Sequence, residues 1–312
     1  MGLSRPGRDA RHTPLAVRVA AAVLLAAIGL VVLAGLDVAA HRALSLSSDF
    51  NVRGYRGALA GDRVPGEVRI AVLGESTTFG YGVRWQDAVP ARLERVLQSR
   101  QPAGPPVRVL NLGFNGEGAY SFAFTLADYA DLQPDIVVFY TGYNDLLPGN
   151  RSLFRHSSPI FTATGYLPML PVLARARLES WLGEEEDAAV RFDAGGATGA
   201  TALADLPPDD APGAWLEYRQ WMRAAIERAL AGGARVLVAG QPDLGARHRS
   251  QQRALAREVE AAFVGRPVRY VDLADAVDLS DRSLAWDGLH LTPPGNHRIA
   301  ERMAHALQPW IR

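Results

Sequence analysis

Five short apolar runs recur between residues 68 and 312, and each is followed by a stretch with helical periodicity. The runs are 68–73, 107–112, 135–140, 234–239 and 268–272; the helical stretches are 87–100, 119–131, 214–231, 248–263 and 295–308. A strand that is apolar at every position is buried on both faces. Strands of that kind alternating with helices build a parallel sheet with helices on both sides. From Val68 onward there are about 245 residues, within range for one α/β domain.

In an open α/β sheet, ligands bind outside the carboxyl ends of the strands. The residues at those ends therefore carry the functional reading. The first run, Ile70 to Leu73, meets Gly74-Glu75-Ser76. Ser76 is placed like a nucleophile, although a serine there can equally cap the helix that follows. The second run ends in Asn111-Leu112-Gly113-Phe114-Asn115-Gly116, and the third in Gly142-Tyr143-Asn144-Asp145. Near the carboxyl end comes Trp286-Asp287-Gly288-Leu289-His290. Taken singly, Asn144, Gly116 and Asp287 read as turn formers or caps. Together the four segments supply a hydroxyl, a glycine amide, a side-chain amide and an Asp/His pair, the parts of a serine hydrolase site.

These four blocks, in this order, resemble the SGNH (GDSL-like) hydrolase superfamily, over roughly residue 68 to the end. Glu75 stands where that family usually has Asp. The resemblance implies a flavodoxin-like three-layer sandwich with a five-stranded parallel sheet. It also implies an oxyanion hole made of the backbone amides of Ser76 and Gly116 and the side-chain amide of Asn144. The nucleophile would be Ser76 and the base His290, with Asp287 holding the imidazole. An α/β-hydrolase nucleophile elbow is a different pattern and would need glycine at Thr78.

What the chain lacks narrows the chemistry. It has no cysteine, so thiol nucleophiles, cysteine zinc sites, iron–sulfur clusters and disulfides are excluded. It has no lysine either, so Schiff bases, Ser-Lys dyads and P-loop lysines are excluded too. Formal net charge is zero, and nothing predicts a nucleic-acid partner. Of the seven histidines, only His290 follows a well-placed acid; no metal site and no cofactor are expected.

Val19 to Leu36 is an unbroken apolar run of 18 residues, just long enough to span a bilayer. Arg5, Arg8, Arg11 and Arg18 precede it, and only Arg42 lies close behind. The positive-inside rule puts residues 1–18 in the cytoplasm and the rest outside, in a periplasm or at a cell surface. The run exceeds a usual signal h-region, which favours an uncleaved anchor; Val38-Ala39-Ala40 keeps a cleaved signal open. Residues 37–67 read as a connecting arm and 68–312 as the hydrolase domain.

Between the third and fourth strands lies a long connection, 146–213. It holds Phe161, Tyr166, Leu167, Met169, Leu170, Leu173 and Trp181, then an acidic run from Glu184 to Asp187 and a glycine-rich stretch near 195–199. The apolar cluster reads as a lid over an acyl pocket, a membrane-facing patch or ordinary side packing; residues 190–212 read as mobile. The expected activity is hydrolysis of O-acyl esters, carbohydrate-linked or lipid, with the membrane met through the amino-terminal helix. An O-acyltransferase using the same site and a non-catalytic scaffold are the other two classes.

Overall fold

The computed structural model describes residues 14–43, 49–153, 155–171, 174, 202–211 and 213–311. The strands are β1 (Val68–Gly74), β2 (Val107–Asn111), β3 (Ile136–Tyr140), β4 (Arg235–Ala239) and β5 (Val268–Val271). They form one sheet in the order β2-β1-β3-β4-β5, every pairing parallel. Each expected strand is present, with ends within one residue of the apolar runs.

Alternate residues of the central strands feed two separate core layers, which is why Ile70–Leu73 and Ile136–Tyr140 are apolar throughout. Ile70, Val72, Val138, Tyr140 and Leu237 face the layer under α3 (Val89–Arg100) and the carboxyl-terminal helix Pro293–Ile311. Ala71, Leu73, Val137, Phe139, Val236 and Val238 face the other layer. That side is covered by α4 (Ala119–Asp128), Leu216–Ala231 and Ala246–Ala262. The chain runs from β1 outward to β2 and returns to β3 on the other side of β1. That reversal opens a crevice between the carboxyl ends of β1 and β3, the place where such sheets bind ligands.

α1 (Leu15–Ala43) is a 29-residue helix, longer than the apolar run alone. It is long and apolar enough to cross a membrane, and its apolar side chains are exposed. Its last turns are tied to the domain. Asp37 accepts from the backbone amides of Met169 (3.1 Å) and Leu170 (2.6 Å) and from the Tyr166 hydroxyl. One turn on, the His41 Nε2–H donates to the Leu167 carbonyl at 2.8 Å.

Two expectations are corrected here. Residues 49–57, expected to belong to a connecting arm, are part of the body: Phe50, Tyr55 and Arg56 are all buried. A Ser-, Gly- and Arg-rich composition suggested a linker, but three large side chains suffice to fix the segment. The apolar cluster of the long connection, where it is described, does not cover Ser76. Phe161 packs on Tyr129, at the end of α4 remote from its first turn, with ring centroids 5.8 Å apart. Leu167 and Met169 join the same core layer, and Tyr166 serves Asp37. Leu173, Trp181, the acidic run, the glycine-rich stretch and most of 190–212 lie outside the described residues.

Candidate functional site

Ser76 opens a single helical turn, α2 (Ser76–Phe79), straight after β1. Its hydroxyl lies 2.8 Å from His290 Nε2, and His290 Nδ1 lies 2.6 Å from Asp287 Oδ2. A carboxylate can only accept, so Nδ1 carries the ring proton. Nε2 is then the acceptor, and the Ser76 hydroxyl donates to it. Asp287 Oδ1 accepts the backbone amides of Leu289 (2.9 Å) and His290 (2.7 Å). Burial works against an ionised Asp287, but the imidazole and these two amides outweigh it and hold the carboxyl below the usual range. Asp287 and His290 share one loop, Ser76 lies 214 positions before His290, and the fold brings the three into one line.

The second block carries the loop beside Ser76. The Asn111 side-chain amide donates to the carbonyls of Thr78 and Phe79, both at 3.1 Å, and its oxygen accepts the Gly113 amide. Gly113 must be glycine: a Cβ there would lie 2.7–2.8 Å from Thr78 and from the Phe79 nitrogen. This contact lets the loop lie flat on the Ser76 turn. Gly116 has φ +77°, a conformation side-chain-bearing residues rarely adopt. Asn144 Nδ2 donates to the Glu117 carbonyl at 2.9 Å, so the Asn144 amide sits next to Gly116.

Glu75 explains how Asn144 gets there. Its fully buried carboxylate accepts the Thr141 hydroxyl (2.8 Å), the Gly142 amide (2.8 Å) and the Asn144 amide (3.1 Å). One side chain thus gathers three donors from the loop after β3. Burial pushes the carboxyls of Glu75 and its neighbour Asp145 upward. Glu75 has three donors, whereas Asp145 accepts only the Ala119 amide and keeps an unpaired Oδ1. The three donors favour the ionised form of Glu75 over that of Asp145. Glu75→Ala would leave three buried donors unpaired, at about 1–3 kcal/mol each. Both Tm and kcat should fall, with Glu75→Asp recovering part of each; a Glu75→Ala protein with unchanged Tm would contradict this account.

Three other residues build the site without announcing themselves in the sequence. Gln241, fully buried after β4, donates to Thr77 Oγ1 (2.8 Å) and accepts the Tyr143 amide (2.9 Å), joining the Ser76 turn to the Asn144 loop. Its one signal is a polar side chain two residues past an apolar run. Arg56 donates to the carbonyls of Phe79, Gly80 and Val83, closing the far end of the Ser76 turn. Arg155, fully buried, donates to the Leu112 carbonyl at 3.0 Å and lies 5.3 Å from the centres of the Phe114 and Tyr129 rings.

A family profile described as GDSL-like Lipase/Acylhydrolase matches residues 72–298, and the chain belongs to this family of hydrolases. No curated protein matches the sequence significantly. Among solved structures, the chain is similar to the lipase/acylhydrolase from Enterococcus faecalis (15% identity, TM-score 0.46, covering 78% of this chain and 97% of that one). It is similar to the family 3 carbohydrate esterase of Clostridium thermocellum (16%, TM-score 0.45, 79% and 100%). A third is the psychrotrophic esterase EstA from a Pseudoalteromonas species (12%, TM-score 0.45, 78% and 97%).

Proposed function

We propose that the protein is a serine esterase that hydrolyses O-acyl esters, carbohydrate-linked or lipid, with Ser76 as nucleophile, His290 as base and Asp287 as the group that orients the imidazole. The observation that carries this is the continuous line of two hydrogen bonds, 2.8 and 2.6 Å, from Ser76 Oγ through His290 to Asp287. A serine hydroxyl is a poor nucleophile until a base takes its proton. Here Nε2 accepts that proton as Oγ bonds to the ester carbon, and the Asp287 carboxylate stabilises the imidazolium.

Negative charge then builds on the former carbonyl oxygen. The Ser76 and Gly116 amides and Asn144 Nδ2 are the donors that would receive it. Their support is positional: Asn144 bonds the Glu117 carbonyl beside Gly116, and its own backbone amide is held by Glu75, the residue before Ser76. Loss of one such donor usually costs ~3–4 kcal/mol of transition-state stabilisation.

In this reading the catalytic domain stands outside the cytoplasm, held at the membrane by α1. Support comes from the arginines before the apolar run and their scarcity after it. A reporter fused after residue 60 should be active only outside the cytoplasm, and activity inside would refute the orientation. For the chemistry, the full-length protein in detergent is given an acyl ester with and without a sugar acceptor. Free acid should account for all the ester consumed in both, with no acylated sugar formed. Acyl transfer to the sugar in place of acid release would make the protein a transferase.

A further inference from the structure

The leaving alcohol has a fixed side. When the tetrahedral intermediate collapses, the acyl carbon–oxygen bond to the alcohol breaks, and the proton on His290 Nε2 passes to that alcohol oxygen. The oxygen must therefore lie within hydrogen-bond reach of Nε2. The body of the alcohol lies on the His290 side of Ser76, away from Gly116 and Asn144. Water then attacks the acyl-Ser76 ester by the same route and releases the acid.

Two aromatic rings occupy that side. Tyr81, whose amide donates to the Ser76 carbonyl at 2.9 Å, has its ring centre 4.8 Å from that of His290. Trp286, immediately before Asp287, is nearly parallel to the His290 ring (21°, 5.7 Å) and to Tyr81 (30°, 6.0 Å). Its backbone is held at both ends: its amide donates to the His290 carbonyl (3.0 Å), and its carbonyl accepts from Arg282 (2.7 Å). The indole also lies flush on Gly82, where a Cβ would fall 2.8 Å away. A side chain fixed this firmly is nonetheless 39% exposed.

We propose that the Tyr81–Trp286 face is a subsite for a pyranose ring, the leaving group of an O-acylated sugar. This rests on the esterase reading and names its alcohol. A pyranose has an apolar C–H face and a hydroxyl edge, and it needs a single flat aromatic surface with polar groups around it. The surroundings match. Arg84 and Gln86 are exposed on one segment, Arg282 and Ser283 on the other, and Trp286 is the one exposed large apolar residue of both segments. An alkyl alcohol would need a continuous apolar strip, which neither segment offers.

The test holds the acyl group constant and varies the alcohol. Full-length protein in detergent is assayed on a methyl pyranoside O-acetate, ethyl acetate and octyl acetate, as wild type, Trp286→Ala, Trp286→Phe and Ser76→Ala. The ratio of kcat/KM for the pyranoside to that for ethyl acetate should fall about tenfold in Trp286→Ala, the scale of one aromatic stacking contact. Trp286→Phe should restore most of it. Unacetylated methyl pyranoside should inhibit the wild type competitively and Trp286→Ala more weakly. An unchanged ratio, or an equal fall for octyl acetate, overturns the pyranose subsite while leaving the esterase reading in place. Absence of Ser76-dependent hydrolysis of all three esters overturns both.

Discussion

Ser76→Ala should lower kcat/KM for any ester substrate by about 10⁴-fold or more, leaving only what binding and charge stabilisation supply. The fold should survive. The Ser76 side chain is half-buried and, among the described residues, bonds to His290, so the change in stability should stay within about 0.5 kcal/mol. Denaturant unfolding of both proteins, beside their initial rates, separates lost chemistry from lost structure. A variant that keeps most of its turnover would refute the nucleophile assignment.

The next largest effect belongs to the Asp287–His290 pair. His290→Ala should cost several orders of magnitude in kcat, because Ser76 then has no base. Asp287→Asn should cost less, about 10²–10⁴-fold, and for a definite reason. If the new amide oxygen keeps the backbone amides of Leu289 and His290, its NH2 points at Nδ1. The ring proton is then driven to Nε2, where it blocks acceptance from Ser76. Turnover kept near the wild-type rate in His290→Ala would remove His290 from the role.

Much of the sheet was legible because its central strands, β1 and β3, are buried on both faces. Burial on both sides demands an apolar residue at every position, and Ile70–Leu73 or Ile136–Tyr140 can hardly be read otherwise. The positions of Ser76, Gly116, Asn144, Asp287 and His290 were legible for a related reason: each stands where a strand or loop ends in residues with no core to join. Arg56, Arg155 and Gln241 were not. They act through backbone carbonyls and amides far away in sequence, and such pairing leaves no local pattern. Arg155, for example, reaches the Leu112 carbonyl across 43 positions.

The apolar cluster at 159–170 shows the opposite failure. Its composition left a lid, a membrane-facing patch and ordinary side packing all open. Phe161 and Leu167 went to the core layer around Tyr129, and the polar atoms nearby went to Asp37 and His41 at the end of α1. The segment expected to close over the substrate instead fastens the domain to its apolar helix. Glu75 is a gentler case. The sequence marked it as a departure from the family pattern, and three donors from the loop after β3 show what the longer side chain reaches.

The most direct measurement is the site of covalent attack by an electrophilic phosphonate on the full-length protein. The phosphonate should form one adduct, on the peptide that contains Ser76, and abolish ester hydrolysis in proportion to labelling. His290→Ala should label far more slowly, since the hydroxyl would then lack its base. Labelling at another residue, or hydrolysis that persists once Ser76 is fully modified, would contradict the account.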